Sequence, residues 1–166
     1  MKVLNSKERK RIHQQLNEQY GFEGKLGDAL LLNENKGRLY VVNQEVMDFD
    51  SEGMRIESIG LYVGTKMNDG LRLTIEGSQI VGPSATKNVF ELSDEQHHGW
   101  LRGRDLDLPE DFVLEGWLIL KHKNEATGVF DFLGSGKVVK KEQEGGSFRI
   151  VLHNYIPKTR YVRSED

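Results

Sequence analysis

The run Leu133-Gly134-Ser135-Gly136-Lys137, then Arg149, then Tyr155-Ile156-Pro157-Lys158-Thr159-Arg160-Tyr161-Val162-Arg163, threads glycines, cations and aromatics together. That mixture suits a sugar-phosphate backbone with exposed bases better than a small metabolite. Glycines on both sides of Ser135 allow positive φ and close approach of the main chain, with amide N–H groups open to oxygens, so the segment is expected to form a turn. Lys137, Lys158, Arg160 and Arg163 supply charge, and Tyr155 and Tyr161 supply flat faces for unstacked bases. Arg102 and Arg104 flank Gly103 at an expected helix end, where they suit the same ligand, although cations there also complement the helix dipole.

Charge is unevenly distributed in a chain of net −3. Residues 121–163 hold nine Lys and Arg against four Asp and Glu, a net of +5, whereas residues 1–120 carry a net of −6. An acidic whole with a basic end argues for one localised anionic partner and against indiscriminate coating of nucleic acid or membrane. Charge alone also fits an ordinary solvated face on the last strands. His153 either contacts a phosphate or base or fills the alternate face of its strand.

Catalytic patterns fit poorly. A nucleotide-binding loop over Gly134-Ser135-Gly136-Lys137 needs glycine where Asp131 stands and Ser or Thr where Val138 stands, and Val139 occupies the third glycine of a dinucleotide fingerprint. His97 and His98 are adjacent, so on a helix they point about 100° apart and share no metal-binding face. Glu57 and Glu76 are expected on strands, with nothing to bring them together. Trp100 and Trp117 sit in apolar segments that read as core. The absence of Cys excludes disulfides and thiolate chemistry. No metal or cofactor is expected.

These residues must be positioned by a chain of 166 residues, 37% hydrophobic, enough for one sizeable core or two small ones packed together. Asn5 or Ser6 is expected to cap a helix from Lys7 to about Glu18, with Ile12 and Leu16 on one face and Gly21 as its stop. Strands are expected at Ala29–Leu32 and Leu39–Val42, a short helix at Asn43–Phe49, and paired strands at Ile56–Gly64 and Leu71–Ile75. Gly77–Pro83 breaks the pattern and reads as a junction. A strand at Asn88–Leu92 precedes a helix capped by Ser93, with Gln96 three positions on. Strands then follow near Gly116–His122, Phe130–Lys140, Phe148–Tyr155 and Tyr161–Arg163, suggesting a closed or half-closed barrel. The polar segment Lys140–Ser147 is either a hairpin tip without a role or an extension of the contact surface. No signal-peptide block or membrane-length apolar run is visible, so a cytoplasmic location is expected.

Gly116-Trp117-Leu118-Ile119-Leu120, Phe132-Leu133-Gly134-Ser135-Gly136-Lys137-Val138 and Asn154-Tyr155-Ile156-Pro157-Lys158 occur in the order found in PUA domains. The second half closely resembles the C-terminal PUA-like domain of RsmF-type rRNA methyltransferases, without their catalytic part. With Leu4–Gly21, Gly37–Val42 and Ser58–Gly64 ahead of it, the chain resembles the pre-PUA plus PUA arrangement of the Nip family of ribosome biogenesis factors and related archaeal proteins. The resemblance implies an α+β fold: an N-terminal α/β pre-PUA domain with an antiparallel sheet (residues 1–82), then a PUA-like β pseudo-barrel with one main helix (residues 83–166). It implies RNA binding without intrinsic catalysis, with RNA across the PUA helix and the glycine turn. Gly134, Gly136, Lys137, Asn154, Lys158 and Arg160 carry over by motif. The expected function is an accessory role in rRNA processing or ribosome biogenesis, with rRNA or its precursor as partner and a protein docking on the acidic N-terminal half. The alternatives are a protein-interaction adaptor in a pre-ribosomal or RNA-processing complex, and a small-molecule enzyme built on the same scaffold.

Overall fold

A computed structural model describes residues 1–50, 52–54 and 58–163. Ile56 and Glu57, part of an expected strand, lie outside the described residues. The fold is α+β, with two five-stranded sheets. In the first sheet β1 (Lys2–Val3), β2 (Ala29–Asn33), β3 (Arg38–Val42), β4 (Leu61–Met67) and β5 (Gly70–Leu73) lie side by side in chain order, all antiparallel. Helix α1 (Ser6–Tyr20) starts at a capping box in which the Glu8 N–H donates to Asn5 Oδ1 and the Asn5 N–H to Glu8 Oε2, and it ends at Gly21 with φ 65°. Its buried stripe of Ile12, Leu16 and Tyr20 packs with Leu30, Leu39, Val63 and Leu71 into the first core. The other face of this sheet carries Leu31, Tyr40 and Val42, covered in part by the short helix α2 (Gln44–Met47).

The expected break at Gly77–Pro83 is in fact helix α3 (Ile75–Val81) and a 3₁₀ turn (Gly82–Ser84). Thr74 caps α3 by accepting the Gly77 N–H at 3.0 Å. Glycine lowers helix propensity by about 1 kcal/mol, which hides the helix from a sequence reading. Packing requires it: a Cβ on Gly77 would sit 1.9 Å from the Val63 carbonyl oxygen. The helix lies where the two sheets meet, and its Ile75 side chain joins the second core.

The second sheet contains β6 (Val89–Glu91), β7 (Leu106–Leu108), β8 (Gly116–Lys123), β9 (Phe130–Glu142) and β10 (Phe148–Asn154) in the order β6-β8-β9-β10-β7. Its pairs are antiparallel except β6 with β8, and the sheet curls into a half-barrel. Helix α4 (Asp94–Leu101) has the expected Ser93–Gln96 capping box and buries Trp100 in the second core with Leu118, Leu120 and Leu152. Lys140–Ser147 forms the end of β9 and a tight turn closed by Gln143 N–H donating to the Ser147 carbonyl at 2.8 Å. The expected strand at Tyr161–Arg163 does not form. A 3₁₀ turn (Lys158–Arg160) redirects the chain, and Val162 N–H donates to the Leu101 carbonyl at 2.8 Å, docking the tail on the end of α4.

Candidate functional site

Gly134, Ser135 and Gly136 do not form an open turn; they are the middle of β9. Opposite them, Ile119 pairs with Ser135 and Lys121 with Phe132, so two residues of β9 face Leu120 alone. This is a bulge, and Gly134 supplies its positive φ of 85°. The bulge faces inward. Gly134 N–H donates to Ser78 Oγ at 2.8 Å, and Ser135 Oγ accepts Leu73 N–H at 3.0 Å, joining the second sheet to α3 and β5. Ser135 is 3% exposed, and a Cβ on Gly136 would lie 2.8 Å from the Trp100 ring. The expectation of bare amides facing a ligand is corrected: glycines in an apolar strand here serve close packing. Burial also pushes the Tyr20 hydroxyl pKa up, against a smaller opposing effect from the neighbouring Ser135.

Asn154 is also structural. At 8% exposure, its Nδ2 donates to the Trp100 and Arg104 carbonyls at 2.9 and 3.1 Å, and its Oδ1 accepts Ile156 N–H at 2.9 Å. It pins the end of β10 to the end of α4. A side chain so fully bonded within the fold is not free to read a ligand, which corrects the motif-based expectation for this residue.

The expected cations do not form one cluster. Lys137 Nζ binds Asp69 at 2.5 Å, Arg149 binds Asp107 at 2.8 Å, and Arg160 binds Glu76 at 2.6 Å. Arg149 lies four residues along β10 from His153, about 14 Å away. Arg102, half-buried, donates to the His98 carbonyl, and the docked tail brings Arg163 beside that end of α4. Arg104, Lys158 and Arg163 are exposed. Asp69 is held below the ordinary carboxylate pKa by hydrogen bonds from Lys137 and then Trp117, while Asp69 raises that of Lys137. For Glu76, burial pushes upward, but Arg160 and backbone hydrogen bonding leave its pKa below the ordinary value. All three shifts fix charged forms.

Where the sheets meet, the structure assembles residues from both halves that the sequence reading did not join. Tyr40 and Tyr62 rings lie 5.5 Å apart, and the Arg38 guanidinium sits 5.3 Å from the Tyr62 ring. Arg72, on β5, places its guanidinium 5.4 Å from the Tyr155 ring and donates to Tyr62 Oη and Thr65 Oγ1, both at 3.4 Å. Tyr155 in turn meets Trp117 at 4.9 Å and His153 edge-on at 4.6 Å, and Lys137 Nζ lies 5.6 Å from the Trp117 ring. His153 shares Asp105 Oδ2 at 3.2 Å, so it is a surface-facing residue of its strand. The result is a continuous tract, Arg38-Tyr62-Arg72-Tyr155-Trp117-Lys137, in which Trp117, 3% exposed, is the core residue its apolar segment predicts and supports Tyr155 and Lys137 from beneath. Against it lies a cleft of about 130 Å³ lined by Tyr62, Arg72, Thr74, Glu76, Tyr155 and Arg160. Arg72 and Tyr62 were missed because they lie outside the basic segment. Their one sequence signal is the outward position of Arg72 between Leu71 and Leu73.

His97 stacks on His122 with ring centroids 3.8 Å apart, and His122 Nε2 meets Asp94 Oδ1 at 2.8 Å. Burial, then the His122 charge, lowers the His97 pKa. Among the described residues no cluster of three or more His, Asp or Glu has metal-holding geometry, and no helix is long and apolar enough to cross a membrane.

No family model matches the chain. It is similar to ribosomal RNA small subunit methyltransferase F of Aeromonas salmonicida (strain A449), with 29% identity over 105 residues, covering 60% of this chain and 22% of that protein. It is also similar to the protein of the same name from Shewanella halifaxensis (strain HAW-EB4), with 33% identity over 82 residues, covering 49% of this chain and 16% of that protein. The chain therefore spans about a fifth of the length of the curated relatives it matches, and its similarity is to a part of rRNA methyltransferases.

Proposed function

We propose that this protein is a non-catalytic RNA-binding factor acting in rRNA processing or ribosome biogenesis in the cytoplasm, organised as a pre-PUA domain (residues 1–82) and a PUA domain (residues 83–166). The observation that carries the reading is the tract from Arg38 to Lys137, in which cations and aromatic faces alternate across both sheets. Tyr62 and Tyr155 are half-buried and Trp117, 3% exposed, backs Tyr155 from within; accessible aromatic faces stack single-stranded bases at about 1–3 kcal/mol each, and guanidinium groups beside them hold phosphates or stack in their own right. Similarity to part of rRNA methyltransferases supports RNA as the ligand class. The carboxylates paired with Lys137, Arg149 and Arg160 are consistent with this, since phosphates can replace them as partners. The test is fluorescence anisotropy with labelled single-stranded rRNA fragments across a salt series. Arg72→Ala and Lys137→Ala are expected to weaken binding and to reduce the salt slope by about 0.7 for each phosphate that is no longer neutralised. Unchanged affinity and slope in the double variant refute the tract.

A second reading, a protein-interaction adaptor in a pre-ribosomal or RNA-processing complex, is favoured by a separate feature. An apolar groove of about 740 Å³ on the partly covered face of the first sheet is lined by Val3, Leu31, Val46, Met47, Phe49 and Met54, with Phe49 62% and Met54 60% exposed. Glu45 lines it, and Asp48, Asp50 and Glu52 stand nearby in sequence, so a basic amphipathic partner suits it better than RNA. Retention in purified pre-ribosomal particles after RNase treatment, lost in Phe49→Ser, would favour this reading.

A further inference from the structure

The cleft between the sheets shares Tyr62, Arg72 and Tyr155 with the tract and adds Glu76 and Arg160 to them. Its wall is built by Tyr62 and Arg72 of the first sheet and by Tyr155 and Arg160 of the C-terminal part, with Glu76 at the start of α3. At about 130 Å³ it falls below the roughly 300 Å³ at which drug-sized ligands and cofactors are enclosed. A single flat ring is the natural occupant. One side offers an aromatic face, the Tyr155 ring, with the Arg72 guanidinium over it. The polar group is a carboxylate, and an ionised carboxylate only accepts hydrogen bonds. Glu76 Oε1 is oriented by Arg160 Nη1 at 2.6 Å, with its own backbone and Thr74 also bonding to the carboxylate, which has about four lone-pair sites in all.

Among the four RNA bases, guanine alone presents two adjacent donors, N1–H and the N2 amino group, on its pairing edge. Adenine and cytosine set an acceptor nitrogen beside their amino group, and uracil flanks its one N–H with two carbonyls. A carboxylate facing any of those three meets a lone pair. Resting on the RNA-binding reading, we propose that this cleft takes one unstacked guanine of a single-stranded RNA, its pairing edge on Glu76, its ring against Tyr155 and Arg72, and its phosphate within reach of Arg160. The contact gives a protein that otherwise grips the backbone one base-specific point.

The experiment compares two fluorescein-labelled single-stranded RNAs, an all-uridine strand and the same strand with one central guanosine, by anisotropy with the full chain. The wild-type protein is expected to bind the guanosine-bearing strand at least tenfold more tightly. Glu76→Gln, which keeps the shape but puts a donor on the pairing edge, is expected to bring the ratio to near one. Binding of both strands with equal affinity by the wild type overturns the guanine site while leaving RNA binding intact. A ratio unchanged in Glu76→Gln also overturns it. Failure of the wild type to bind either strand overturns the RNA-binding reading itself. The wild-type ratio needs no variant, so impaired folding of Glu76→Gln does not protect the proposal.

Discussion

Replacement of Ser135 by Ala tests whether the glycine-serine segment supports the fold or contacts a ligand. Its hydroxyl accepts the Leu73 N–H at 3.0 Å, and the residue is 3% exposed. The substitution removes the acceptor and leaves a buried backbone N–H without that partner, a loss of about 1–3 kcal/mol. For a chain of this length each kcal/mol lowers the melting temperature by about 2–4 °C, so a decrease of roughly 2–12 °C is expected. Ser78→Ala strands the Gly134 N–H in the same way and also deletes the Ser78 hydroxyl bond to the Ile75 carbonyl at 2.7 Å, so its decrease should be at least as large. The two serines serve neighbouring residues of one bulge, and their effects should couple and depart from simple addition. The assay is thermal melting of both single variants and the double, alongside RNA affinity measured well below the melting range. An unchanged melting temperature for Ser135→Ala together with a tenfold loss of RNA affinity would refute the packing argument and restore an exposed, ligand-facing turn.

Gly77→Ala should be among the most damaging single changes, because the added methyl meets the Val63 carbonyl, a backbone atom unable to move aside; overpacking costs about 1–3 kcal/mol, read as a lower urea midpoint. Asp69→Asn breaks the bond to Lys137 and weakens that to Trp117 Nε1 at 2.9 Å. Since the folded pKa of Asp69 is depressed, its contribution is fully present above the ordinary value of 3.8 and is lost as pH falls through the lower folded value. The melting difference between wild type and Asp69→Asn should therefore be present at neutral pH, be small for so exposed a pair, and close in strong acid. His97 is likewise depressed, so its contribution is complete above its ordinary value of 6.5 and disappears as pH falls through the folded one. Melting from pH 7.5 to 5 should show a steeper loss in wild type than in His97→Phe, which keeps a ring against His122 without a proton to gain.

Local elements were legible where chemistry within a few residues decides them. Asn5 or Ser6 and Ser93 with Gln96 announce two helix starts, Gly21 announces a stop, and the apolar runs within Leu39–Val42 and Phe148–Asn154 announce strands. The α+β class and the burial of Trp100 follow from the same local rules of periodicity and apolar content. Helix α3 was hidden because its glycine, Gly77, answers to the close approach of the neighbouring strand at Val63 rather than to helix propensity. The Gly134–Gly136 segment was misread for a related reason: turn and bulge use the same glycine, and only the bonds to Ser78 and Leu73 distinguish them. Residue types and charge count specified that the chain has cations and aromatics, but not which of them meet. Arg72 and Tyr155 are brought together by the packing of two sheets, and Lys137, Arg149 and Arg160 are partly neutralised by carboxylates from other elements. Sequence by itself determined the local elements, because hydrogen bonding and apolar period act over one or two turns of chain. Tertiary structure alone decided the site, because Coulomb and stacking forces depend on distances through space that no spacing along the chain encodes.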